Sequence, residues 1–124
     1  MQINPRLVDG QIQGGVVHGI GNALFERMIF DDSATPLSIN YGEYLLPTSF
    51  EMPNVEIYHV ESPSPTNPIG VKGAGEGGTI PAAACIVSAI EDALEPFGIR
   101  INEHPVSPAR IVELIGAARR QPAA

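Results

Sequence analysis

The sequence predicts an α/β chain of the α+β kind, with a mixed or antiparallel sheet packed against a glycine-rich helix and a buried apolar helix. Three observations predict it. Apolar residues between Leu7 and Phe25 recur close to a 3.6-residue period, the mark of a helix. Between residues 27 and 60 the period changes to two, the mark of strands, and the connections are too short for parallel crossovers. The run PAAACIVSAIEDAL at residues 81–94 is small or apolar on most of its surface, as a helix buried on most sides should be.

The first helix starts at Asn4, an N-cap residue, with Pro5 at the first helical position. Its peculiarity is glycine at positions 10, 14, 15, 19 and 21, each costing ~1 kcal/mol against alanine in a helix interior. Something must offset that sum. Close packing on a helix or sheet through a smooth stripe is favoured over a bulky ligand lying there, to which Gln11 and Gln13 would offer amides. Residues 28–30 and 37–41 then read as strands joined by a turn at Asp31, Asp32, Ser33 and Pro36, the second continuing less regularly to Leu46. Residues 55–60 alternate as a clear strand, in which His59 reads as a satisfied strand histidine.

Pro63, Pro65 and Pro68 exclude helix and strand from the link that follows. In the helix at 81–94, Thr79 is the candidate cap, Pro81 suits the first turn, and Cys85 reads as a small core residue. Pro96 and Gly98 stop it. A short strand at 99–101 and a last helix capped by Ser107, with residues 109–115 as its body, complete the chain before a frayed tail at 121–124.

Bulk properties exclude several classes. A formal net charge of −7 argues against a nucleic-acid footprint, which needs a basic patch. A single cysteine excludes an intramolecular disulfide framework, so a reducing, cytoplasmic setting is expected. No run is long enough to cross a bilayer, and no signal-peptide pattern opens the chain. A small hydrolase would need a nucleophile and base, but Ser88 and Cys85 lie in the apolar helix and His18, His59 and His104 have no evident partners. No cluster has zinc-ligand spacing.

Chemistry concentrates at residues 70–79, where five glycines surround one carboxylate, Glu76. Glycine lets backbone turn tightly or approach a ligand closely. Gly73, Gly75 and Gly78 satisfy the dinucleotide-binding spacing, but the prolines break the strand that motif requires. Gly70 and Gly75 have the spacing of a phosphate-binding loop, yet glutamate stands where the lysine belongs. Two readings of Glu76 remain: a general base brought close to a substrate, or a solvated glutamate in a flexible turn.

A resemblance bears on that choice. The residues Gly73-Ala74-Gly75-Glu76-Gly77-Gly78-Thr79-Ile80 ahead of an alanine-rich helix resemble the C-terminal signature of the molybdenum hydroxylases, the family of xanthine dehydrogenase, aldehyde oxidoreductases and aerobic carbon monoxide dehydrogenase. The block from Ile3 to Gly15 resembles that family's glycine-rich helix, and the block from Pro105 to Ile111 resembles the segment that closes the subunit. The resemblance covers nearly the whole chain. It implies that residues 1–124 are the C-terminal portion of a molybdenum-cofactor-binding domain. It implies Glu76 as the active-site base, acting on a molybdenum-bound hydroxide, and Gln11 as a contact of the molybdopterin. Lys72, Gly73, Ala74 and Gly75 would line the site, with no protein ligand to the metal on this chain.

The implied cofactor is molybdenum-molybdopterin, in the cytosine dinucleotide form of bacterial members. FAD and [2Fe-2S] clusters are expected on partner subunits or domains. The implied reaction hydroxylates an aldehyde or N-heterocyclic carbon, or oxidises carbon monoxide, with water as oxygen source. The family's molybdenum subunit is several times longer than this chain. Partners are therefore the remainder of that subunit, FAD-binding and iron-sulfur subunits, and a small-molecule substrate, with no nucleic acid. A second reading is a non-catalytic fragment or assembly module, inactive without the rest. Either way the isolated chain should expose apolar surface, particularly along the first helix.

Overall fold

A computed structural model describes residues 2–120; the tail expected at 121–124 lies outside the described residues. Its elements are α1 (Pro5–Leu24), α2 (Thr79–Ala93), a 3-10 turn (Glu95–Phe97) and α3 (Pro108–Arg120). The local signals act as expected at both outer helices. Asn4 Oδ1 accepts from the Leu7 N–H at 3.2 Å with Pro5 following, and Ser107 Oγ accepts from the Arg110 N–H at 3.2 Å. Gly98 ends the 3-10 turn in the left-handed region at φ 64°, where a side chain would be strained.

The helices α1 and α2 pack together through the glycine stripe. A Cβ on Gly15 would meet the Thr79 nitrogen at 2.9 Å, and one on Gly19 would fall on the Ala82 Cβ. Gly78, on the other partner, lies against the Ile12 carbonyl. Close backbone approach thus offsets the helix penalty at Gly15 and Gly19. Gly10 and Gly14 have open space where a Cβ would stand, so packing explains only part of the stripe. Farther along, the end of α1 meets the segment after α2. Ile20, Ala23, Leu94, Ile99 and Val106 form the buried apolar set among the described residues, with the Val106 N–H donating to the Ala23 carbonyl at 2.7 Å.

The expected sheet is absent: the described residues contain no strand, and the pairing is a single antiparallel bridge between Phe30 and Pro36. At residues 28–41 the reason is local. Leu37 N–H donates to the Ile29 carbonyl at 2.7 Å, but Pro36 has no N–H to extend a ladder. The Ser38 hydroxyl then takes the backbone groups that a next rung would use. It accepts from Ile29 N–H at 3.0 Å and donates to the Arg27 carbonyl at 2.8 Å. Residues 55–60 keep the alternation without a strand partner among the described residues: Val55 and Ile57 are half-buried, while Tyr58 and Val60 are 84% and 96% exposed. A strand is a property of a pair, and alternation in one segment cannot supply the other. Residues 99–101 are likewise irregular, because the Glu91 carboxylate takes the Ile101 N–H at 2.7 Å.

Without a sheet, α2 is covered on one side by α1 and none of its residues is buried. Cys85 is exposed rather than a core residue. Thr79 is not the cap: Gly78 holds that position, and the Thr79 hydroxyl donates to the Gly15 carbonyl at 3.3 Å. The accessible surface is 9339 Å², whereas area–mass scaling gives about 6,400 Å² for a folded monomer of this mass.

Candidate active site

The glycine loop is held across the first half of α1 by a short series of contacts. Gly70 turns the chain at φ 67°, its N–H donating to the Asn67 carbonyl at 3.1 Å and its carbonyl accepting from Ser64 N–H at 3.0 Å. The Asn67 side chain then pairs with both polar groups of Val71, accepting from its N–H and donating to its carbonyl, each at 3.0 Å. Gln11 Nε2, reaching up from α1, donates to the Gly75 carbonyl at 2.9 Å. The Glu76 carbonyl accepts from Thr79 N–H at 3.0 Å and Ile80 N–H at 3.1 Å, which starts α2.

Two of the expected site positions are therefore brought together: Gln11 touches the residue directly before Glu76. The Lys72 Nζ donates to Ser62 Oγ at 3.1 Å, and both residues line the cleft that Gly73 and Ala74 share. Gly73 and Ala74 line an open cleft of about 220 Å³ with Val8, His59 and Ser62. Glu76 is exposed, and its carboxylate has no hydrogen-bond partner among the described residues. The main-chain N–H groups of residues 72–77 are also undonated among the described residues. A Cβ on Gly73, Gly75 or Gly77 would meet nothing within 4 Å. The loop thus presents a smooth row of free donors beside one free carboxylate, which suits a polar, oxygen-rich group lying against it.

His59 is satisfied, but not within a strand: its Nε2 lies 2.7 Å from Asp9 Oδ1 on α1. That pair and Asn67 carry the loop's surroundings and were missed at the level of sequence. A signal for Asn67 existed, since Asn-Pro in a proline-rich link marks a turn whose side chain bonds nearby backbone. An apolar groove of about 460 Å³ also opens beside Gly77 and Gly78, lined by Ile12, Val16, Val55, Ile57, Pro81 and Cys85. Among the described residues no group of three or more His, Cys, Asp or Glu side chains could hold a metal ion, and no helix is long and apolar enough to cross a membrane.

A carboxylate on a glycine loop pinned to a glycine-rich helix, beside open backbone donors, suits a protein of the cofactor-binding class. Comparisons specify the class. A family model described as a molybdopterin cofactor-binding domain matches residues 1–53. The chain is 44% identical over 110 residues to the nicotine 6-hydroxylase large subunit of Paenarthrobacter nicotinovorans, covering 89% of this chain and 14% of that one. It is 40% identical over 112 residues to the xanthine dehydrogenase molybdenum-binding subunit of Escherichia coli O157:H7, covering 90% of this chain and 14% of that one. In backbone it superposes on the crystal structure of quinoline 2-oxidoreductase from Pseudomonas putida 86 with a TM-score of 0.90 at 40% identity, over 98% of this chain and 15% of that chain. The chain belongs to the molybdopterin-binding large-subunit family of the xanthine dehydrogenase type of molybdenum oxidoreductases. It spans 14% of the length of the curated relatives it matches first.

Proposed function

We propose that this chain is one portion, residues 1–124, of a molybdenum-cofactor-binding domain in a hydroxylase that uses water as oxygen source, with Glu76 as its base. The observation that carries the reading is the Gln11–Gly75 hydrogen bond, which joins the glycine-rich helix to the residue before Glu76. When bound, the molybdenum-molybdopterin group supplies a site that activates water and accepts the electrons leaving the substrate. Gln11 holds the loop through its Nε2, and its side-chain oxygen, without a partner among the described residues, is the group to meet the pterin. The undonated N–H groups of Lys72, Gly73, Ala74 and Gly75 line the near wall. Glu76, without a hydrogen-bond partner among the described residues and without steric competition from its glycine neighbours, takes the proton from the attacking oxygen at its carboxylate.

The relatives named as nicotine 6-hydroxylase large subunit, xanthine dehydrogenase molybdenum-binding subunit and carbon monoxide dehydrogenase large chain support a substrate among N-heterocycles and carbon monoxide, and the family resemblance adds aldehydes. Their names as subunits support partner subunits, to which the family resemblance assigns FAD and [2Fe-2S] clusters and the exit of electrons. The cytosine dinucleotide form of the cofactor is proposed on the family resemblance. A cytoplasmic enzyme fits the single cysteine. The open site and large exposed surface favour an isolated chain that keeps the helices but lacks activity.

The test is Glu76→Gln in the complete enzyme that carries this segment. Turnover falls by about 10²-fold or more, the contribution of a positioned base, while molybdenum content stays normal. Undiminished turnover would remove Glu76 from the chemistry.

A further inference from the structure

Resting on Glu76 as the base, we propose that Asn67 is a positioning residue that sets the course of the glycine loop and thereby the place of the Glu76 carboxylate. The loop is tied at two points. Gln11 holds Gly75 at its far end, and Asn67 holds Val71 at its near end. Between them the main chain of residues 72–74 makes no hydrogen bond among the described residues, so its path follows from where its ends are pinned.

Asparagine is the residue type this anchor needs. Its primary amide offers one donor and one acceptor side by side, which match the carbonyl and N–H of a single residue, Val71. Aspartate has the same shape but can only accept, so it would face the Val71 carbonyl with a second oxygen. Alanine offers neither group. The anchor is itself backed from behind: the Asn67 carbonyl takes the Gly70 N–H at 3.1 Å, and a Cβ on Gly70 would press on Pro63 at 2.8 Å. Loss of the amide pair would free the loop at Val71 and leave the base misplaced, not absent.

The experiment places Asn67→Ala and Asn67→Asp in the complete enzyme, alone and combined with Glu76→Gln. Turnover per bound molybdenum is expected to fall about tenfold or more in both single variants, since displacements near 1 Å can cost that much. KM stays within about twofold, because the loss is in the chemical step. In the Glu76→Gln background the same substitutions change the residual turnover by less than about twofold, as residues acting as a unit do. Hydrogen exchange at the Val71 amide, whose acceptor is the Asn67 side chain, becomes faster in Asn67→Ala, and also in Asn67→Asp, where repulsion between the carboxylate and the Val71 carbonyl opens the clasp. Equal losses with and without the Glu76 carboxylate would overturn the proposal, as would unchanged turnover per molybdenum or unchanged exchange. If Asn67→Ala fails to assemble, the isosteric Asn67→Asp decides alone by the same readings. Full turnover in Glu76→Gln would overturn the function proposed above, whereas amide exchange reports on the anchor independently of it.

Discussion

At the scale of single residues, the irregular parts of the chain are held by side chains that replace backbone partners. Ser38 stands in for a ladder rung, Asn67 clasps Val71, and Glu91 closes the end of α2. Glu91 accepts from Ile101 N–H and from Arg100, both at 2.7 Å, and the backbone donor above all, with the guanidinium second, holds its carboxyl below the usual glutamate range. A depressed folded pKa means the contribution is complete above the unfolded value of about 4.3. It fades as pH falls below that value and through the folded one. Thermal unfolding of the complete subunit across acid pH should therefore show a decline that Glu91→Gln flattens. An identical decline in that variant would show that other carboxylates carry it.

At the scale of elements, the α1–α2 contact depends on two glycines and not on the whole stripe. Gly19→Ala places a methyl on the Ala82 Cβ and should lower the melting temperature, the overpacking cost of about 1–3 kcal/mol exceeding the ~1 kcal/mol gained in helix propensity. Gly14→Ala meets nothing and should leave stability equal or raised by up to ~1 kcal/mol. If Gly14→Ala instead sheds molybdenum at unchanged stability, a ligand lies along the open half of the stripe. The caps of α1 and α3 were legible because each depends on residues three apart in sequence. The strands were not, because alternation at 55–60 states which faces differ and says nothing about a neighbour.

At the scale of the whole molecule, the surface exceeds that of a folded monomer of this mass by on the order of 3,000 Å², the size of an obligate interface. Five buried apolar residues among those described are a small core for such a chain, while Phe50, Tyr58, Val60 and Ile80 stand exposed. Yet the course matches over 98% of the chain within a structure of which it is 15%. The isolated chain should bind a hydrophobic dye and melt without a sharp cooperative transition. Mixing with the remaining portion of the subunit should quench the dye and restore a single transition. A sharp transition for the isolated chain, with no dye binding, would refute dependence on that larger body.

Sequence by itself determined the three helices, two of their caps, the proline and glycine stops, and the loop on which Glu76 sits. These follow from residue types acting over a few positions, where backbone sterics and local hydrogen bonds decide. Tertiary structure alone decided that Gly15 and Gly19 serve packing, that Gln11 reaches Gly75, that Asn67 holds Val71, and that no sheet forms among the described residues. Those outcomes depend on groups distant in sequence meeting at hydrogen-bond range, or on a partner's absence. Neither spacing nor periodicity contains that information.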